Sequence, residues 1–254
     1  MQATDHPSPH HHDHAREGVQ TWVKTAILFG LAAYFAYNIL SGNLSNYINE
    51  RFAWLSYVAV ALFGLLGAAS AVEQLRRAGH SHLHHHHDHL SWPALAVVAV
   101  PLVLGTLVPS RPLGSAAING SISLNVATGA AATTFTSDPS QWNVLDWLRA
   151  FNNAGDPASF DGKAANVIGF VYREATFPDD TFMVARFTIS CCVADAAAIG
   201  LPVVWPGAAD IPQDTWVRVQ GAFQTGTFRG DTVPVLRAAS IETIEQPEHP
   251  YLYP

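Results

Sequence analysis

Cysteine is nearly absent from this 254-residue chain, and the only two, Cys191 and Cys192, are neighbours. A framework of disulfides therefore cannot hold the fold together. Charge is scarce as well. Asp, Glu, Lys and Arg make up 13% of the residues, about half of what soluble domains carry. Basic residues number 13 against 20 acidic ones, for a net charge of −7. Nucleic-acid binding needs a basic face, and that class is excluded. Phosphate-cradling loops are missing too: Gly226 and Gly230 lack the lysine-serine pair and helix that would have to follow. Ser190 has no base evident in sequence, and His249 is the only histidine of the C-terminal half. These gaps point away from an enzyme. What is plentiful is apolar surface, 49% of the chain.

The apolar residues are concentrated before Val108, in three runs: Trp22 to Leu40, Phe52 to Val72 and Trp92 to Val108. A bilayer core of about 30 Å takes roughly 17–25 apolar residues in a helix, so three spans are expected. The first run exceeds the h-region of a signal peptide and lacks a small-x-small cleavage pattern, which favours a span over a cleaved leader. Pro101 inside the third is tolerable where a neighbouring helix satisfies the freed carbonyl. Gly64, Gly67, Ala68 and Ala69 in the second permit close helix approach. Arg16, Lys24, Arg76 and Arg77 fall on one side of such a bundle, and Arg51 and Arg111 on the other. The excess of positive charge places the N-terminus in the cytoplasm and everything after Val108 outside.

Twelve of the thirteen histidines lie on that cytoplasmic side. Residues 1–18 form a polar His-rich tail with no expected secondary structure. The loop Glu73 to Ser91 carries His80, His82, His84, His85, His86, His87 and His89. Neutral imidazoles are good ligands for zinc, nickel and copper, and such a loop can present several at once. Those seven are candidate ligands for a divalent transition metal. A solvated low-complexity loop is the other reading.

After residues 110–137, a small-residue linker with some strand character, the period changes. Asp138-Pro139 is a helix start, with an aspartate cap and proline at the first helical position. Trp142, Leu145, Leu148 and Phe151 then make one apolar stripe on a helix of some three turns. Five strand candidates follow at Asn166–Tyr172, Thr181–Ser190, Leu201–Trp205, Thr215–Phe223 and Val233–Ile244. Residues Val193 to Ile199 leave room for one helical turn between the second and third. The fold class expected for 138–254 is a small, OB-like five-stranded barrel or α+β domain, with a small sandwich as the alternative.

Cys191 and Cys192 stay open to four readings. Adjacent residues on a regular strand face opposite ways, so joint metal ligation needs a break in the strand, with Asp195 and His249 available to complete a site. A vicinal disulfide would be strained and redox-sensitive. A bridge to a partner chain is the third reading. The fourth leaves one thiol packed as a small hydrophobe and the other half-exposed.

The motifs Asp146-Trp147-Leu148, Gly169-Phe170-Val171-Tyr172-Arg173, Ser190-Cys191-Cys192-Val193-Ala194-Asp195-Ala196 and Gly200-Leu201-Pro202-Val203, with Pro247, Pro250, Tyr251 and Leu252 at the end, resemble the YcgQ-like family of bacterial permease subunits. The C-terminal domain of that family has no assigned function. The resemblance implies a multi-pass protein of the bacterial plasma membrane, working beside a larger multi-span permease in a zinc-type metal-homeostasis setting. It implies no role for the histidine tracts. The spans are almost free of Asp, Glu, Lys and Arg, so no ion path is written in them, and this independently calls for a partner subunit. The expected function is therefore an accessory permease subunit tied to divalent-metal handling, with no resident cofactor assigned. The alternative is a membrane-anchored envelope thiol protein that senses redox state or binds metal through Cys191 and Cys192, and a passive assembly module is the third.

Overall fold

The structure, a computed structural model, describes residues 13–79, 91–118, 120, 122–124 and 138–254. The histidines at positions 80–89 lie outside the described residues, as do positions 1–12. The chain forms two compact units. One comprises residues 1–44 and 51–110, the other residues 45–50 and 111–254.

Three helices build the first unit: α1 (Asp13–Leu40), α2 (Trp54–Gly79) and α3 (Trp92–Leu107). Two segments, Gly18–Leu40 and Glu50–Arg76, are long and apolar enough to cross a membrane. The third expected span is shorter. Its 16 residues reach about 24 Å at 1.5 Å per residue, less than a bilayer core of about 30 Å. Helix α1 packs against both of the others. Gly67 faces the ring of Phe29, and a Cβ on Gly105 would lie 2.5 Å from the Tyr34 hydroxyl. Gly64 has no such neighbour, so only part of the small-residue stripe of α2 serves packing. A polar knot joins α1 to α2: the hydroxyls of Thr25 and Ser70 are 2.7 Å apart, and Gln74 Nε2 donates to Thr25 Oγ1 at 2.7 Å. Such groups hold apolar helices together where apolar contact with lipid offers no preference.

The second unit is a six-stranded mixed sheet with one helix, α4 (Val144–Ala154), on it. The strands are β1 (Ala164–Tyr172), β2 (Thr181–Thr188), β3 (Ala197–Val204), β4 (Trp216–Phe228), β5 (Asp231–Thr243) and β6 (Tyr251–Leu252). Five overlap the expected runs, although β3 begins four residues before the expected Leu201 and confines the turn expected over Val193–Ile199 to Val193–Asp195, and β6 is new. The order is β1-β4-β5-β3-β2-β6, and β1 also pairs with β2. Antiparallel pairs β1–β2, β2–β3, β4–β5 and β1–β4, with β3 and β5 parallel, thus join five strands in a ring of pairings.

The helix expected at Asp138 begins later. Asp138 accepts from Ser140 N and caps only a 3-10 turn, Pro139–Gln141. Trp142 is extended, and Asn143 then caps α4 through a reciprocal box with Asp146. Two strong caps five residues apart compete, and the second holds the helix. Gly155, at φ 70°, ends it in the left-handed region. Trp147 is fully enclosed on the helix face, packed against Phe160 and Phe223. Strand β2 is buried almost throughout. Phe182 and Val184 enter the cluster under α4, while Met183, Ala185 and Phe187 enter a second one on the other face. That second cluster includes Ile122, 1% exposed, from the stretch read as a linker.

Candidate thiol and carboxylate site

Strand β2 stops at Thr188, where its pairing with β6 also ends, because the amides of Ser190 and Cys191 just beyond are taken by the Asp195 side chain. Ile189 N donates to Leu252 O at 3.0 Å. A 3-10 turn, Val193–Asp195, then carries the carboxylate of Asp195 back over the preceding residues. Its Oδ1 accepts from Ser190 N and its Oδ2 from Cys191 N, both at 2.8 Å. The curl this imposes is the strand break that joint action of adjacent thiols demands. Both cysteines are free, and their Sγ atoms stand 3.7 Å apart. Among the described residues, Cys191, Cys192 and Asp195 form a group whose ligand atoms all lie within 4.8 Å of one another. Cys191 and Asp195 are exposed and Cys192 half-buried.

Residues 45–50, which connect α1 to α2, supply the other wall. Ile48 bridges Cys192 in antiparallel fashion. Asn49 N donates to Cys191 O at 3.0 Å, its Nδ2 to Ser190 O at 2.9 Å, and Val193 N donates to Tyr47 O at 2.9 Å. The C-terminal segment closes the far side of this connection. Tyr251 Oη donates to Asn46 O at 3.1 Å and accepts from Leu113 N at 2.9 Å. His249, weighed in sequence as a further metal ligand, instead places Nδ1 against Glu50 Oε1 and lies outside the thiol group. Arg186 of β2, 6% exposed, donates to His249 O at 2.9 Å and lies over the Trp216 ring. Burial pulls its guanidinium down to about 10, so it stays cationic at neutral pH.

The electrostatics follow from the Asp195 carboxylate. Its hydrogen bond with the Cys191 thiol, together with the neighbouring Cys192, pushes that thiol up to about 11. The same thiol bond, joined by the backbone N–H groups, holds the Asp195 carboxyl below its usual range. Cys191 is therefore a thiol at neutral pH, and a poor nucleophile. It becomes a ligand only when something displaces its proton.

Sequence reasoning offered Cys191, Cys192 and Asp195 as a joint site in one of its four readings. It missed residues 45–50, Arg186 and Tyr251. The signal for the first was available: Tyr47 and Ile48 are strand-forming residues in a short polar connection between apolar runs. Nothing in a single sequence pairs that connection with a segment more than 140 residues away.

Residues 23–122 match the DUF1980 N-terminal domain, and residues 140–254 match the DUF1980 C-terminal domain. The chain belongs to the DUF1980 family. Two curated relatives cover nearly all of it. One, of Streptococcus mutans serotype c, is named "Putative two-component membrane permease complex subunit"; it is 26% identical over 88% of this chain and 97% of its own. The other, UPF0703 protein YcgQ of Bacillus subtilis, is 24% identical over 89% and 97%. The expected YcgQ-like membership is thereby shown. Among solved structures, an OBody bound to hen egg-white lysozyme aligns with 36% of this chain and 88% of its own at 18% identity. Its TM-score of 0.24 is too low to argue from.

Proposed function

We propose that this protein is an accessory subunit of a two-component membrane permease that handles a divalent metal, with three spans and an extracytoplasmic OB-like domain. The observation that carries the subunit reading is the near full-length match to the Streptococcus relative, whose name makes it a subunit of a two-component membrane permease complex. Two helices with the length and composition of spans suit a membrane protein. The third span is assigned to α3, whose 16 residues can cross by local thinning of the bilayer. The five-strand ring of pairings, with β3 beside β5, supports the OB-like reading.

Divalent-metal handling rests on the histidines at positions 80–89 and on the thiol and carboxylate group. The test is purification of the tagged full-length protein from its native membrane. A multi-span permease in near-stoichiometric amount is expected, with raised zinc content in the complex relative to a variant whose seven loop histidines are alanine. Recovery of this chain alone from native membranes would overturn the subunit reading.

A further inference from the structure

We propose that Cys191, Cys192 and Asp195 form an open three-ligand site for a thiophilic d10 ion of the zinc type, facing the compartment of the second unit. This deepens the metal-handling part of the function proposed above, and rests on that reading only for its biological role.

Three features carry it. First is the spacing of the thiols. Zinc–thiolate bonds of about 2.3 Å at a tetrahedral angle separate two sulfurs by about 3.8 Å. The two Sγ atoms are 3.7 Å apart. A disulfide needs about 2.05 Å, so the resting arrangement matches the bite of an ion, not a bridge. Second is the donor set. Two thiolates favour soft or borderline metals over calcium and magnesium, and the carboxylate adds a third anionic ligand. Both Asp195 oxygens already accept a backbone N–H, and the lone pair turned to the Cys191 thiol becomes available to an ion once that thiol gives up its proton.

Third is rigidity. The backbone around the thiols is held from both sides. Ser190 and Cys191 N–H groups go to Asp195, their carbonyls accept from Asn49, and Asp195 N donates to Cys192 O at 3.0 Å. With main-chain groups occupied in this way, an ion is met by the three side-chain donor atoms, whose present partners are one another and the amides of the turn. A fixed turn loses little conformational freedom on binding. The three donors leave one tetrahedral position open. Structural zinc sites close all four, whereas exchange and catalytic sites keep one free. An open position on an exposed turn suits transfer of an ion to or from a second protein.

Loading balances without a redox step. The ion replaces the protons of the two thiols, which pass to solvent, and the Cys191–Asp195 hydrogen bond gives way to two metal bonds.

Reduced full-length protein in detergent would be titrated anaerobically with Co2+. Thiolate-to-cobalt charge-transfer absorption reports thiolate ligation, to which the histidines cannot contribute. One equivalent with that absorption, displaced by Zn2+, is expected. C191S and C192S should each strip most of the band, and D195N should weaken Co2+ binding about tenfold or more. Circular dichroism and thermal melting of the variants are compared with wild type, and zinc protection of the wild-type thiols from alkylation gives a readout free of any variant. No charge-transfer band in the wild type, or one unchanged in C191S and C192S, would overturn the site. Partner capture is measured on the same preparations. A lost partner with an intact band sinks the subunit reading alone, and a captured partner with no band sinks this site alone.

Discussion

Asp195 shows how one side chain sets the chemistry of its neighbours. It spends its carboxylate on the Ser190 and Cys191 amides and on the Cys191 thiol. The thiol bond stabilises the protonated form, so Cys191 ionises only near 11. Removing the charge works in the opposite direction: D195N should lower that value and raise the thiolate fraction at pH 8. Iodoacetamide alkylation of Cys191 is then expected to quicken several-fold, followed by mass spectrometry. An unchanged rate would show that the carboxylate does not hold the thiol proton. Gly221 is a residue whose role is purely steric. A Cβ there would sit 2.1 Å from Arg237 O, beside the register shift at Gln220/Gly221. The clash is with backbone, which cannot swing aside. Gly221→Ala should destabilise the domain by about 2–3 kcal/mol, measured by denaturant unfolding. Neither role is visible in sequence, where an aspartate near a cysteine and a glycine in a strand are both ordinary.

At the scale of elements, α4 and the α1–α2 connection behave differently. The helix was legible as a type, because its apolar residues recur at helical spacing and Gly155 stops it. Its start was not, since Asp138 and Asn143 both have capping chemistry and only the fold chooses between them. Asn143→Ala should cost about 1 kcal/mol, whereas Asp138→Ala, which frees only a 3-10 turn, should cost far less; thermal melts of the two variants separate them. The connection at 45–50 takes its conformation from its partners. Asn49→Ala removes the donor to Ser190 O and should cost about 1 kcal/mol, chiefly as faster amide exchange at Cys191 to Val193. Exchange unchanged there would mean that the backbone bridge at Ile48 suffices.

For the whole molecule, the testable matter is sidedness. Cys191 and Cys192 are the only cysteines, so a membrane-impermeant maleimide reports the location of the second unit with no engineered residue. Under the three-span reading the pair is labelled in intact cells at mildly alkaline pH. Labelling only after permeabilisation would place the domain inside and overturn the extracytoplasmic assignment.

Composition and periodicity by themselves determined the division of the chain into an apolar half and a strand-rich half, the five principal strands and the presence of α4, and they gave a joint site of Cys191, Cys192 and Asp195 as one reading of four. All of these depend on residues close in sequence, whose hydropathy and spacing act locally. The tertiary structure alone decided that β1 pairs with both β2 and β4, that Ile122 belongs to the core, and that residues 45–50 form a wall of the thiol site. Those contacts join segments tens to more than a hundred residues apart. Their free energy lies in burial and in hydrogen bonds completed across that distance, and no local pattern encodes which distant partner completes them.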